Sequence, residues 1–339
     1  MPITEYEHIS MAHGGGGKLT QQLIEKMFYP ELGNEFLNRG HDGAILPASG
    51  NELAFTTDSF VVHPIFFPGG DIGDLAVNGT VNDLVCCGAV PKFISLAFIL
   101  EEGLPLQDLW KVVQSIKAAS ARAGVQVVTG DTKVVEKGKG DGIYINTSGI
   151  GEIIPACTIG PERCKKGDVV ILNGSVADHG IAVMSQRQGL AFESEISSDT
   201  ASLNHMMQAV LESHKSIHVL RDPTRGGLAS ALNEISQASN TGITLFEDQI
   251  KVNDSVRGAC EIMGFDPLYI ANEGKILIIL PEEEAGEVLD ILRSFDEGKE
   301  AAVIGKVSSE HPGRVHLVTT IGSTRIVNMI SGEQLPRIC

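Results

Sequence analysis

The chain is short of cations, of aromatic rings and of long apolar runs. Lys and Arg number 26 against 43 Asp and Glu, a formal net charge of −17. That balance argues against DNA or RNA as partners, because their backbones need a basic face to displace counterions. Acidity of this kind suits a protein that gathers carboxylates around divalent cations, although acidic surfaces usually serve only solubility. Aromatics at 5% beside 42% hydrophobic residues fit a soluble globular protein. No stretch reaches the roughly 18 apolar residues that a membrane helix requires. The opening MPITEYEHIS has neither the basic start nor the apolar core of a secretory signal, so a cytoplasmic location with no membrane contact is expected. The six cysteines, Cys86, Cys87, Cys157, Cys164, Cys260 and Cys339, are too few for a disulfide scaffold. None stands in a CxxC pair, so structural zinc is not expected. A Walker A loop is missing too: the run His13-Gly14-Gly15-Gly16-Gly17-Lys18 is followed by Leu19 where that loop needs Ser or Thr.

What is present begins with size. A chain of 339 residues accommodates two domains with separate cores, and 38 glycines imply many tight loops. Its last residue is a cysteine, preceded by Pro336-Arg337-Ile338. Read alone, a terminal thiol is either an incidental thiol on a frayed end or the tip of an arm that carries a substrate into a pocket. Arg337 beside it could lower the thiol pKa or could only keep the tail soluble.

The glycine run opens a helix whose apolar positions Leu19, Leu23, Ile24, Met27 and Phe28 repeat at helical spacing. Backbone N–H groups at such a start can bind phosphate, with Lys18 as a point charge. Asp42 and Asp58 flank short apolar stretches at strand ends, where each is either a turn aspartate or a cleft carboxylate. A helix from Ile72 to about Cys87 carries Asn78, Asn82 and Asp83 among small apolar residues, more like a lining than a surface. Cys86 and Cys87 read as small buried residues at its end. The strand Val125–Val128 is expected to run into a turn at Gly130-Asp131-Thr132-Lys133, a usual place for ligand groups. A composition change at Pro155–Arg163 divides the chain into residues 1–155 and 156–330, with a tail over 331–339. Beyond it, Arg221-Asp222-Pro223-Thr224-Arg225-Gly226-Gly227-Leu228 leads into a helix, and Asn272-Glu273-Gly274 precedes a strand. Strands and helices alternate throughout, which predicts a two-domain α/β protein. Several carboxylates converging in one cleft would raise one another's pKa unless cations neutralised them, and Mg2+, which takes oxygen ligands, is the expected cation.

The glycine loop, Asp42-Gly43-Ala44, Thr57-Asp58, Val81-Asn82-Asp83-Leu84, Gly130-Asp131-Thr132-Lys133, Arg221–Leu228 and the terminal Pro336-Arg337-Ile338-Cys339 together resemble the HypE family of hydrogenase maturation proteins. That family lies within the PurM-like superfamily of ATP-binding enzymes. The resemblance implies an N-terminal domain whose sheet pairs across a homodimer, a C-terminal α/β domain, and ATP with Mg2+ between them. It implies Asp42, Asp58, Asp83 and Asp222 as metal ligands. Gly15, Gly16, Gly17 and Lys18 would fold over phosphate, and Thr57, Asn82, Gly130 and Asp131 are further candidate nucleotide contacts. It also implies the reaction: a carbamoyltransferase, HypF, loads a carbamoyl group onto Cys339, ATP-dependent dehydration turns it into a thiocyanate, and the cyano group passes to iron on a HypC–HypD scaffold. Lys133 and Glu273, each in a polar turn beside a strand, are candidates to polarise the carbamoyl group and take its proton, unless they are simply a surface lysine and a turn glutamate. The alternatives are a phosphoryl-transfer enzyme of the selenophosphate synthetase type, whose reactive residue would sit near the N-terminal glycine loop, and a nucleotide-gated thiol carrier without catalysis.

Overall fold

The computed structural model describes residues 17–32, 37–48, 52–189, 196–214, 216–331 and 338–339. In the first half, helices α1 (Lys18–Leu23) and α2 (Tyr29–Leu32) are joined through a π-helical turn, Ile24–Phe28. Then follow strands β1 (Ala44–Pro47) and β2 (Glu52–Phe60), the short pair β3 (Phe66–Phe67) and β4 (Gly70–Asp71), helix α3 (Ile72–Cys86), β5 (Ala89–Glu101), α4 (Leu106–Ala123), β6 (Gln126–Val135) and β7 (Ile143–Ile153). The five long strands form one sheet in the order β1-β2-β7-β5-β6, antiparallel except for the β5/β6 edge.

Helix α3 lies against the inner face of that sheet. Asp71 caps it, its carboxylate accepting from the N–H groups of Gly73 and Asp74 at 2.7 and 3.1 Å. Almost every α3 side chain is buried, as its apolar and small composition all round requires. Its Asn82 fastens the two halves of the molecule: the amide donates to the carbonyls of Ala201 and Glu273, and the side-chain oxygen accepts from Leu203 N–H at 2.9 Å.

The second half contains β8 (Asp168–Leu172), α5 (Asp178–Gln188), α6 (Asn204–Ser213), β9 (Val219–Arg221), α7 (Gly227–Ser239), β10 (Gly242–Phe246), α8 (Asp254–Met263), β11 (Leu277–Pro281), α9 (Ala285–Arg293), β12 (Ala302–Ser308), β13 (Val315–Val318) and β14 (Thr324–Val327). These strands form a seven-stranded sheet ordered β14-β13-β10-β12-β8-β11-β9, again mostly antiparallel. Apolar clusters lie on both of its faces, which is why β8, Asp168-Val-Val-Ile-Leu, is buried along its whole length. The alternation of strands and helices thus builds two mixed sheets. No helix among the described residues is long and apolar enough to cross a membrane.

Three elements differ from the sequence expectation. The predicted turn at Gly130–Lys133 is strand: β6 runs unbroken from Gln126 to Val135, paired in parallel with β5. Strand β10 and helix α8 were not anticipated; α8 presents only Val256, Ala259 and Cys260 to the core, a short stripe among charged neighbours.

Candidate active site

The cleft between the halves is assembled from five segments. Asp42 stands just before β1, Asp58 near the end of β2 and Asp83 in the last turn of α3. Asp222 follows β9, and Glu273 precedes β11. The turn from Asp222 to α7 is set by Gly226 and Gly227, both in the left-handed region at φ 77° and 57°. At Gly227 a Cβ would lie 2.6 Å from the carbonyl oxygens of Leu268 and Ile270, so only glycine fits. Asn272 donates to Pro223 O at 2.9 Å, which holds the Asp222–Arg225 turn against Glu273.

Asp58, Asp83, Asp222, Arg225 and Glu273 line a cavity of about 30 Å³, and Cys339 lines it too. The arm tip is docked: Ile338 is buried in an apolar cluster to which both halves contribute, and Val61 N–H donates to the backbone oxygen of Cys339 at 3.1 Å. A space of that size holds about one water-sized group. Burial pushes the thiol pKa up to about 12, with Arg225 opposing and Glu273, Asp58 and Asp222 adding to the rise. Arg225 does lower the thiol pKa, but by less than burial raises it. Desolvation outweighs one guanidinium when four carboxylates share the cavity. Arg337, like His13, Gly15 and Gly16, lies outside the described residues.

Mutual repulsion marks the carboxylates. Burial, then Asp222, Asp58 and Asp42, raise Asp83 well above the ordinary carboxylate range. Asp222 is raised to about 7 by burial and by Asp42. Burial also raises Asp58, with Arg225 and the amide of Ser59 opposing. Glu273 is raised well above its usual value by burial, then by Asp222, Asp58 and Asp199, and its Oε1 has no hydrogen-bond partner. Asp42 alone goes the other way: against the penalty of burial, Arg221 at 2.8 Å and His41 hold it low. Thr56 donates to Asp83 Oδ2 at 2.7 Å. Asp42, Asp222 and the Cys86 thiol bring ligand atoms within 4.8 Å of one another. An oxygen-dominated, buried set with raised carboxyl pKa values and unpaired oxygens on Asp42 and Glu273 fits a hard divalent cation.

Several expected residues fall elsewhere. Thr57 is on the opposite face of β2 from Asp58, because neighbours on a strand alternate, and it donates to Thr147 O at 2.8 Å. Its predecessor Thr56 is the cleft residue. Asn82 is engaged on both side-chain atoms by the other half of the molecule, which leaves its side chain committed within the fold. Gly130, Asp131 and Lys133 lie on the exposed edge strand β6, three strands and thus about 14 Å across the sheet from Asp58 at the usual spacing. There Lys133 pairs with Asp131. Gly17 and Lys18 N–H pack on Ile330, and Gly17 lines a separate cavity of about 480 Å³ together with Asp42, Arg221 and Glu234. Of the candidate set, one copy of the chain therefore brings together Asp58, Asp83, Asp222, Glu273 and Cys339, with Asp42 behind them. Period-two alternation from Asp58 would have identified Thr56, and Arg225 lies inside the Arg221–Leu228 stretch. Nothing in the sequence marks the buried Asp199–Lys275 pair, 2.8 Å apart, whose aspartate accepts from Glu273 N–H.

Two α/β halves with a shared acidic cleft define a protein of the AIR synthase related class. The N-terminal domain of that family matches residues 40–153 and its C-terminal domain residues 165–318. The carbamoyl dehydratase HypE of Azotobacter vinelandii is 47% identical over 331 residues, covering 98% of this chain and 97% of that protein. A crystal structure of a HypE–HypF complex is similar with a TM-score of 0.87 and 47% identity, covering 91% of this chain and 99% of that one. A crystal structure of HypE in complex with ATP is similar with a TM-score of 0.83 and 46% identity, covering 98% and 100%. The chain belongs to the HypE family of carbamoyl dehydratases.

Proposed function

We propose that this chain dehydrates a carbamoyl group carried on its own Cys339 to a thiocyanate at the expense of ATP, supplying cyanide for the [NiFe]-hydrogenase site. The observation that carries this reading is the docking of the Cys339 thiol in the same small cavity as Asp58, Asp83, Asp222, Arg225 and Glu273. A mere thiol carrier has no use for carboxylates at its thiol. HypF is the carbamoyl donor, as the HypE–HypF complex of a relative supports, and a HypC–HypD scaffold is the acceptor.

Asp42, Asp58, Asp83 and Asp222 would hold Mg2+, which supplies neutralisation of the charge on the phosphoryl oxygens of ATP. The carbamoyl oxygen is a poor leaving group until it accepts the γ-phosphoryl. Departure of phosphate then leaves carbon bonded to sulfur and nitrogen, and the nitrogen must give up its two protons. Glu273 is placed to take one, since it lines the cavity of the thiol and its Oε1 has no hydrogen-bond partner. Arg225 lines the same cavity and brings a fixed positive charge to it. The docked arm leaves room for little water, which protects the activated intermediate from hydrolysis.

A homodimer accounts for the residues that a single copy leaves outside. Phe55, Ile150 and Phe93 stand opposite one another across β2, β7 and β5 on the outer face, 40%, 39% and 44% exposed. Val127, Val128 and Val134 are exposed on the neighbouring edge strand. Such a face calls for a cover, and a second copy supplies it. In that dimer Gly130, Asp131 and Lys133 serve the cleft of the other copy, with Lys133 polarising its carbamoyl group. Intact mass after incubation with HypF, carbamoyl phosphate and ATP tests the reaction. Loading adds about 43 Da and dehydration lowers the gain to about 25 Da, as a covalent intermediate on the thiol requires. A protein whose Cys339 never changes mass would refute it.

A further inference from the structure

His179, in the first turn of α5, is fully buried and has no part in the chemistry above. Its Nε2 lies 2.5 Å from the backbone carbonyl of Ile338, and its Nδ1 lies 2.8 Å from Ser198 Oγ. A carbonyl oxygen can only accept, so the ring proton is on Nε2 and Nδ1 accepts from the Ser198 hydroxyl. That hydroxyl is itself fixed, receiving the Thr200 N–H at 3.1 Å, while Ser198 N–H donates to Pro68 O at 2.8 Å. The Phe67 ring meets the imidazole edge-on, centroids 5.4 Å apart, and closes the remaining side. Burial holds the ring's pKa below its ordinary value, against Asp199 and the Ile338 carbonyl, so the imidazole is neutral at neutral pH with one donor to give.

We propose that His179 is the positioning residue of the C-terminal arm: it grips the Ile338 carbonyl and thereby sets where the Cys339 sulfur sits among Asp58, Arg225 and Glu273. This rests on the carbamoyl-dehydratase reading of the cleft. The arm tip is held at two backbone oxygens, that of Ile338 by His179 and that of Cys339 by Val61 N–H, on either side of the cysteine Cα. Between these two points only the cysteine side chain remains free to turn, toward the carboxylates. The Ile338 side chain, 3% exposed, fills the apolar cluster that also includes Phe67, Ile72, Val183, Met184 and Ala271. The socket therefore reads an aliphatic residue next to last, and the imidazole sets its depth. Helix α5 belongs to the second half and Val61 to the first, so the arm is seated only when the halves are assembled.

The test follows the arm by two independent readouts, the rate at which a maleimide alkylates Cys339, located by peptide mass, and the rate at which carbamoylated protein becomes thiocyanate. In His179→Leu, alkylation should rise and dehydration fall, each about tenfold, the effect of one buried hydrogen bond. Loading by HypF, which also needs the arm out of this cleft, should not slow. His179→Gln, whose amide can still donate, should recover most of both rates. His179→Leu with wild-type alkylation and dehydration overturns the proposal, as does faster alkylation with unchanged dehydration. If His179→Leu does not fold, Ser198→Ala decides in the same way. It removes the donor that keeps the ring proton on Nε2, so both changes must appear in smaller degree, and their absence overturns the proposal. Failure of the wild-type protein to show either mass step would instead refute the dehydratase reading, while the alkylation rates still report whether His179 seats the arm.

Discussion

Glu273 carries two features that rarely coincide: it is 3% exposed, and one of its carboxylate oxygens has no partner. A buried acid left open on one side is poised to take a proton from something that enters the cavity. Glu273→Gln should load carbamoyl normally and convert it at least about a hundredfold more slowly, as loss of a general base does. Unaltered conversion in the two-stage mass measurement would count against that role. Asp222 makes a second prediction. Raised to about 7, it keeps its proton in the folded chain over a range where the unfolded chain has lost it. The folded state thus binds more protons between about pH 4 and pH 7, and this group's contribution to stability declines as pH rises through that window. Mg2+ relieves the repulsion only where the carboxylates are ionised. Saturating Mg2+ should raise Tm more at pH 8 than at pH 5, with proton release at pH 6 seen by calorimetry in two buffers. Equal Tm shifts at both pH values would exclude a cation among these aspartates.

At the level of the element, β2 and α3 do most to build the cleft. Thr56 and Asp58 share the inner face of β2 while Thr57 faces outward, a distinction the strand's period of two makes readable in advance. Helix α3 was legible in outline, since a helix carrying Asn78, Asn82 and Asp83 among small apolar residues had to line something. What each polar residue meets was not legible. Asn82 and Asp83 are adjacent in sequence, yet one joins the halves and the other enters the cavity, because they sit about 100° apart around the helix. Asn82→Ala should therefore lower stability by on the order of 2 kcal/mol, leaving the buried Leu203 N–H unpaired. Thermal unfolding should shift down by several degrees. An unchanged Tm would show that the halves are held together without it. The misread turn at Gly130–Lys133 has a similar origin: glycine and aspartate favour turns locally, but pairing with β5 keeps the chain extended.

For the whole molecule, the exposed row Phe55, Ile150 and Phe93 and the exposed edge strand β6 are the surface on which the proposed dimer would form. If Lys133 of one copy serves the cleft of the other, Lys133→Ala and Glu273→Gln chains should each be inactive alone and regain activity when coexpressed. Random pairing makes half the dimers mixed, each with one intact site, so about a quarter of wild-type turnover is expected from a two-fold dimer. No recovery, with mixed dimers confirmed by native mass spectrometry, would refute service across the dimer, and a Lys133→Ala chain active alone would place Lys133 outside the reaction.

The sequence by itself determined the acidic character, the two-part α/β plan, most helix boundaries and the carboxylates, because these follow from composition, periodicity and short motifs. It also marked the terminal cysteine. Only the tertiary structure decided which residues share a cavity. Asp58, Asp83, Asp222, Glu273 and Cys339 span most of the chain's length, and no local rule relates such distant positions. Likewise, whether Cys339 is a ready thiolate or a protonated thiol depends on burial and on the charges around it, which are properties of the packed molecule.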